Sequence, residues 1–101
     1  MNFKTIKFHV EDNVAFIELN RPDQYNALDQ LMAEELFKIS LECDDNESIR
    51  SVALTGVGEK AFCAGASFDE LIAVSTLQEG KQFFTGFANV INAMRTCGKI
   101  I

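Results

Sequence analysis

Two short apolar runs separated by one amphipathic segment constrain this chain most. "VAFIEL" (Val14–Leu19) and "SVALT" (Ser51–Thr55) both read as strands. Between them, Leu31, Met32, Leu36, Ile39 and Leu41 lie close to helical spacing, with Glu34, Glu35 and Lys38 expected to turn away. Asp29 is a good N-cap, which predicts a helix from about Gln30 to Cys43. A strand–helix–strand crossover makes its two strands parallel neighbours in one sheet. The near-continuous apolar character of Val14–Leu19 suits a strand covered on both faces.

Around this unit the remaining elements follow. Ile6, Phe8 and Val10 alternate with Thr5, Lys7 and His9, and Asp12 and Asn13 supply a turn, so the chain opens on a hairpin. His9, the only histidine, falls on the polar face and reads as a solvated surface residue. Pro22 ends the second strand. Ser67 with Glu70, and Thr76 with Glu79, fit the capping-box pattern and open two further helices, one to about Ala73 and one through Met94. Phe83, Phe84 and Phe87 are expected in the core. Arg95 and Lys99 suit the last helix's C-terminus, Gly98 its stop, and "KII" the start of another strand.

The chain has 101 residues and a net charge of -6, which argues against nucleic-acid binding, where Lys and Arg must meet phosphates. Cys43, Cys63 and Cys97 are an odd set with no CxxC, so neither a disulfide framework nor a zinc site is expected, and a reducing, cytoplasmic setting fits. The opening "MNFKTIKFHVEDN" contains no apolar h-region, so no signal peptide is expected, and no run approaches the length of a membrane span.

The chemistry concentrates in "KAFCAGASFDEL", Lys60–Leu71. This loop leaves the C-terminal end of a parallel strand, where open α/β sheets bind ligands. It runs into a helix N-terminus whose amides have no helical partner. Ala64, Gly65 and Ala66 let a ligand approach that backbone. The loop could hold a phosphate, with Lys60 and Arg21 as nearby cations, or a carbonyl oxygen that gains charge during reaction, or could simply pack tightly. For a developing oxyanion, one fixed N–H contributes roughly 3–4 kcal/mol.

"IELNRPDQYNALD" followed by "SVALTGVGEKAFCAGASFDEL" resembles the N-terminal part of the crotonase (enoyl-CoA hydratase/isomerase) superfamily. The shared features are an L-N-R-P…N-A-L loop and then L-T-G…K-A-F-x-A-G-A-x-hydrophobic, and the resemblance runs from about Val14 to Ile101. It implies an α/β fold, the ClpP/crotonase-like spiral of β-β-α units, of which residues 1–101 form one partial domain. It implies that the Ala66 backbone N–H is the first oxyanion-hole donor. Ala64, Gly65, Ser67 and Phe68 match positions lining the acyl-CoA pocket, and Ala27 a position whose backbone approaches coenzyme A. Arg21 and Lys60 match basic positions near its phosphates. The substrate would be an acyl-CoA thioester of fatty acid metabolism, with no separate cofactor and no metal, in a homo-oligomer (trimer or hexamer).

Two departures accompany the resemblance. Ser67 stands where the family usually has Asp, which keeps the cap and removes a carboxylate. The second oxyanion donor and the acid/base carboxylates are expected beyond Ile101. Asp69 and Glu70 read as solvent-facing first-turn acids, and Cys63 as a small filler. The competing expectations are a non-catalytic acyl-CoA-binding or oligomerising module on a truncated fold and, less well supported because GxGxxG and GxxxxGK[ST] are missing, a nucleotide-binding α/β domain.

Overall fold

The structure, a computed structural model, describes residues 2–101. Strands β1 (Ile6–Glu11), β2 (Val14–Leu19) and β3 (Ser51–Gly56) form one sheet in that order. β1 and β2 are the expected hairpin, with Ile6 opposite Leu19 and Glu11 opposite Val14. Asp12 and Asn13 turn it with φ of 51° and 65°, a left-handed pair that these side chains tolerate and that matches strand twist. Asn13 also holds the entry to β3: its side chain donates to the Ser48 carbonyl at 2.8 Å, and its own carbonyl accepts from Arg50 N at 2.8 Å. β3 then runs parallel to β2, from Val14 opposite Ser51 to Leu19 opposite Gly56.

Helix α1 (Gln30–Asp45) makes the crossover and extends two residues past its expected end. Asp29 caps it by accepting from Met32 N at 2.8 Å. Its buried residues Met32, Ala33, Leu36, Ile39 and Cys43 pack with Ile6, Ala15, Ile17, Leu19 and Val52 of the sheet. Helices α2 (Phe68–Ala73) and α3 (Leu77–Thr96) follow, and α3 packs on α1. Beyond α3, Ile100 forms a parallel bridge with Ser51 at the outer edge of β3, consistent with the strand expected there.

Several side chains lie elsewhere than the sequence suggests. β2 buries only Ala15, Ile17 and Leu19; its other face is half-covered, Phe16 lying under the exposed His9 ring at 4.8 Å between centroids. Leu31 and Leu41 flank the buried stripe of α1 and are exposed. On α3, Phe83 is buried and Phe87 partly so, but Phe84 is 60% exposed because one step along a helix rotates it off the α1 contact. Lys99 serves the end of α1 rather than of α3, donating to the carbonyls of Asn46 (2.8 Å) and Ile49 (2.7 Å).

Glu35 is the largest reversal. Expected to face solvent, it sits within the buried stripe at 7% exposure, because it has polar partners there. Its carboxylate accepts from Lys4 N (2.8 Å), Thr5 N (2.7 Å) and the Thr5 hydroxyl, fixing the chain just before β1 to α1. Thr5 is buried with it. Burial by itself raises the Glu35 pKa. The Thr5 hydroxyl, the two amides and the charge of Lys38 more than offset this, and hold it below its ordinary 4.5.

A depressed carboxyl stabilises the fold fully above its unfolded pKa and loses that contribution as pH falls through the folded value. Stability should therefore drop below about pH 4.5 in the natural chain. Glu35→Ala should lower stability at neutral pH by about 2–3 kcal/mol, leaving the Thr5 and Lys4 donors unpaired. Its denaturation midpoint should also vary less with pH in the acid range than that of the natural chain, as urea titrations at several pH values would record.

Candidate functional site

The site is built from two loops, one after β2 and one after β3, both at the C-terminal end of the parallel pair. After β2, Pro22–Gln24 form a 3-10 turn with Pro22 in its first position, where the missing N–H matters least. Tyr25 and Asn26 then adopt left-handed conformations, φ 54° and 56°. Asn26 is fully buried. Its carbonyl oxygen accepts from Arg21 N at 2.8 Å, and its amide donates across to Val57 O (2.9 Å) and Ala61 O (3.1 Å). One side chain thus closes its own loop and fastens it to the next. Gly56 makes room for this: a Cβ there would lie 2.5 Å from Phe62 O and 2.9 Å from Asn26 Nδ2.

The loops also join along their backbones. Ala64 N donates to Tyr25 O at 3.0 Å, Leu28 N to Gly65 O at 2.7 Å, and Ser67 N to Leu28 O at 2.7 Å. Leu28 and Ala66 form a parallel bridge. In such a bridge the Gly65 carbonyl and Ser67 amide point toward Leu28, so the amide of Ala66 points the other way. Among the described residues it has no hydrogen-bond partner. Ala64, Gly65 and Ala66 are exposed. Gly65 has φ 108° with nothing within 4 Å of where a Cβ would stand, so backbone conformation rather than crowding selects glycine.

Helix α2 begins directly after this amide. Ser67 is buried, and its hydroxyl accepts from Glu70 N at 3.4 Å. The reciprocal half of the expected capping box does not form. Glu70 instead accepts from Gln30 N at 2.7 Å and ties α2 to the start of α1. Glu70 is therefore committed to structure, whereas Asp69 is exposed as expected.

A cleft of about 340 Å³ opens beside the loops, lined by Pro22, Tyr25, Asn26, Gly58, Lys60 and Ala61, among others. Lys60 is exposed there with its ammonium 5.8 Å from the centre of the Tyr25 ring, a weak contact that leaves the charge free to meet an anion. Among the described residues no cluster of His, Cys, Asp or Glu suits a metal ion, and no helix is long and apolar enough to cross a membrane.

Comparison with known proteins identifies this architecture. The sequence profile of the enoyl-CoA hydratase/isomerase family matches residues 9–101. The chain belongs to that family. It is 34% identical over 83 residues to the short-chain-enoyl-CoA hydratase of Clostridium acetobutylicum, covering 82% of this chain and 31% of the relative. It is 51% identical over 61 residues to YngF of Bacillus subtilis, named for the same family, covering 60% and 24%. The crystal structure of an enoyl-CoA hydratase/carnithine racemase from Magnetospirillum magneticum superposes with a TM-score of 0.89 at 28% identity, over 97% of this chain and 37% of that one. The chain therefore has the N-terminal part of the crotonase fold, and spans about a third or less of the curated relatives' length.

In this enoyl-CoA hydratase/isomerase family chain, the residues singled out from sequence are distributed unevenly. Ala64, Gly65, Ala66 and Phe68 form one exposed strip, with Phe68 70% exposed and Ser67 buried beneath it. Lys60 lies on the neighbouring cleft. Arg21, expected near a phosphate, is turned inward: it donates to the Ala27 carbonyl and sits 3.6 Å from the Asp29 carboxylate, with its side chain only 20% exposed. That bond also occupies the Ala27 carbonyl. Cys63 is partly buried, with Sγ 3.9 Å from Gly65 O, in keeping with a filler. Asn26 was not singled out, although "YNAL" placed a left-handed-tolerant amide beside the loop.

Asn26→Asp tests the central link. The aspartate can still accept from Arg21 N but sets a carboxylate against the carbonyls of Val57 and Ala61. Stability should fall by about 3 kcal/mol. Chemical denaturation, with an Asn26→Ser control that introduces no charge, measures the loss.

Proposed function

We propose that this segment carries the acyl-CoA-binding surface and the first oxyanion donor of an enoyl-CoA hydratase/isomerase-type enzyme. The observation that carries the reading is the amide of the exposed Ala66, which is unpartnered among the described residues and held in place by bonds to the residues on either side of it. A thioester carbonyl oxygen set against this amide gains a hydrogen bond that strengthens as the oxygen becomes enolate-like. The donor is already oriented, so little reorganisation accompanies the charge change. Exposed Ala64 and Phe68 would flank the acyl group, and Lys60 would meet a phosphate of coenzyme A. Arg21 would act indirectly, by holding the Ala27 loop in shape.

Enolate chemistry needs a second donor and a proton-transferring group. Glu70 is occupied by Gln30 N, and Asp69 is exposed at the start of α2. We therefore assign both functions to residues outside these 101, and no separate cofactor is required by the thioester chemistry. Three free thiols fit a cytoplasmic setting.

Amide NMR tests the reading. An acyl-CoA should move the Ala66 N–H resonance downfield, while free coenzyme A, which has no thioester carbonyl, should perturb Lys60 and Tyr25 but leave Ala66 in place. An Ala66 signal indifferent to both would refute the donor role. In a complete enzyme carrying this segment, loss of the donor should lower kcat by roughly a hundredfold or more.

A second reading is favoured by the face of α3 that carries Leu77, Phe84 and Ile91, which are 78%, 60% and 58% exposed. Apolar residues repeating every seventh position mark a surface that associates. On this reading the segment is a self-associating, acyl-CoA-binding module without catalysis of its own. Sedimentation should show oligomers of the 101-residue chain that dissociate on Phe84→Glu; a stable monomer at high concentration would exclude this reading.

A further inference from the structure

We infer that Cys43 and Cys97 form a thiol–disulfide pair, closed when a peroxide-class oxidant reaches Cys97, which locks the end of α1 to the end of α3. Both thiols are free, and they line one small cavity with Ser40, Val52, Met94 and Ile101. Cys43 lies in the last turn of α1, and Cys97 is the residue that ends α3. Their sequence neighbours are already bonded, Gly98 N donating to the Asp44 carboxylate at 2.7 Å. Lys99 reinforces the junction through Asn46 and Ile49. The cavity they share is small, about 10 Å³.

The two thiols differ in a way that orders the reaction. Cys97 is half-buried and open to a small oxidant, while Cys43 is 1% exposed. Burial, the adjacent Cys97 and Glu42 push the Cys43 thiol up to about 11, so it is a poor first nucleophile. Cys97 sulfur attacks a peroxide oxygen; the O–O bond breaks, one water leaves, and Cys97 becomes a sulfenic acid. Cys43 sulfur then attacks that sulfur. The S–S bond forms, the S–O bond breaks, and the departing hydroxide takes the Cys43 proton as a second water. Two thiols are oxidised and one peroxide is reduced to two waters. Ser40, whose buried hydroxyl has no partner among the described residues, places a polar group in the same wall for the transient S–OH. Cys63 lies on the ligand loop and takes no part.

The test is peroxide treatment of the folded 101-residue chain, followed by alkylation and non-reducing peptide mapping. The expected result is one intramolecular Cys43–Cys97 link, a loss of two hydrogens in mass, and Cys63 still alkylated. The same link should form in Cys63→Ser, and the thermal midpoint should rise by at least about 5 °C, reversed by dithiothreitol. Recovery of Cys43 as a free thiol while Cys97 passes to sulfinic acid would overturn the inference. So would links through Cys63, or three unreacted thiols after both peroxide and diamide.

Discussion

The side chain of Asn26 is the point on which the site depends. Loops after parallel strands have no ladder to hold them, and their polar backbone must find partners elsewhere. Here one buried amide satisfies a donor in its own loop and two acceptors in the next. Its left-handed backbone places it there, and Gly56 leaves space for it. The Leu28–Ala66 bridge is the continuation of that link, and the bridge turns the Ala66 amide away from Leu28. The unpartnered donor is thus a consequence of two loops being paired on one side only.

A comparable division of labour holds among the charged groups. Glu35, Arg21, Glu70 and Lys99 each complete a backbone need: at the entry to β1, in the Ala27 loop, at the start of α1 and at its end. Each joins segments distant in sequence or fixes a turn that has no regular hydrogen bonds of its own. Lys60 stands apart, exposed over Tyr25 on the cleft. Fixed charges make the frame, while the Lys60 ammonium is committed to no backbone group.

Much of the architecture was legible in the residues because it rests on local patterns. The hairpin turn, the Asp29, Ser67 and Thr76 caps and the parallel pair each follow from short-range rules, and each is present. The small-residue loop before α2 was equally visible, as was the motif pair of the enoyl-CoA hydratase/isomerase family. Misreadings fell where polarity was taken as a guide to exposure. Glu35 is drawn inward by partners the sequence does not announce, and Phe84 lies outward because the α1 contact is narrower than the Phe cluster.

The sequence by itself determined which segments are strands and helices, how they start, and which short loop has bare amides, since propensity, capping and turn chemistry act within a few residues. Only the tertiary structure decided which amide is left free. That outcome depends on Gly65 O and Ser67 N both being taken by Leu28, a residue nearly forty positions away. The same holds for the buried carboxylate of Glu35 and for Cys43 and Cys97 lining one cavity. Hydrogen-bond satisfaction and burial are properties of the packed whole, and no local pattern encodes them.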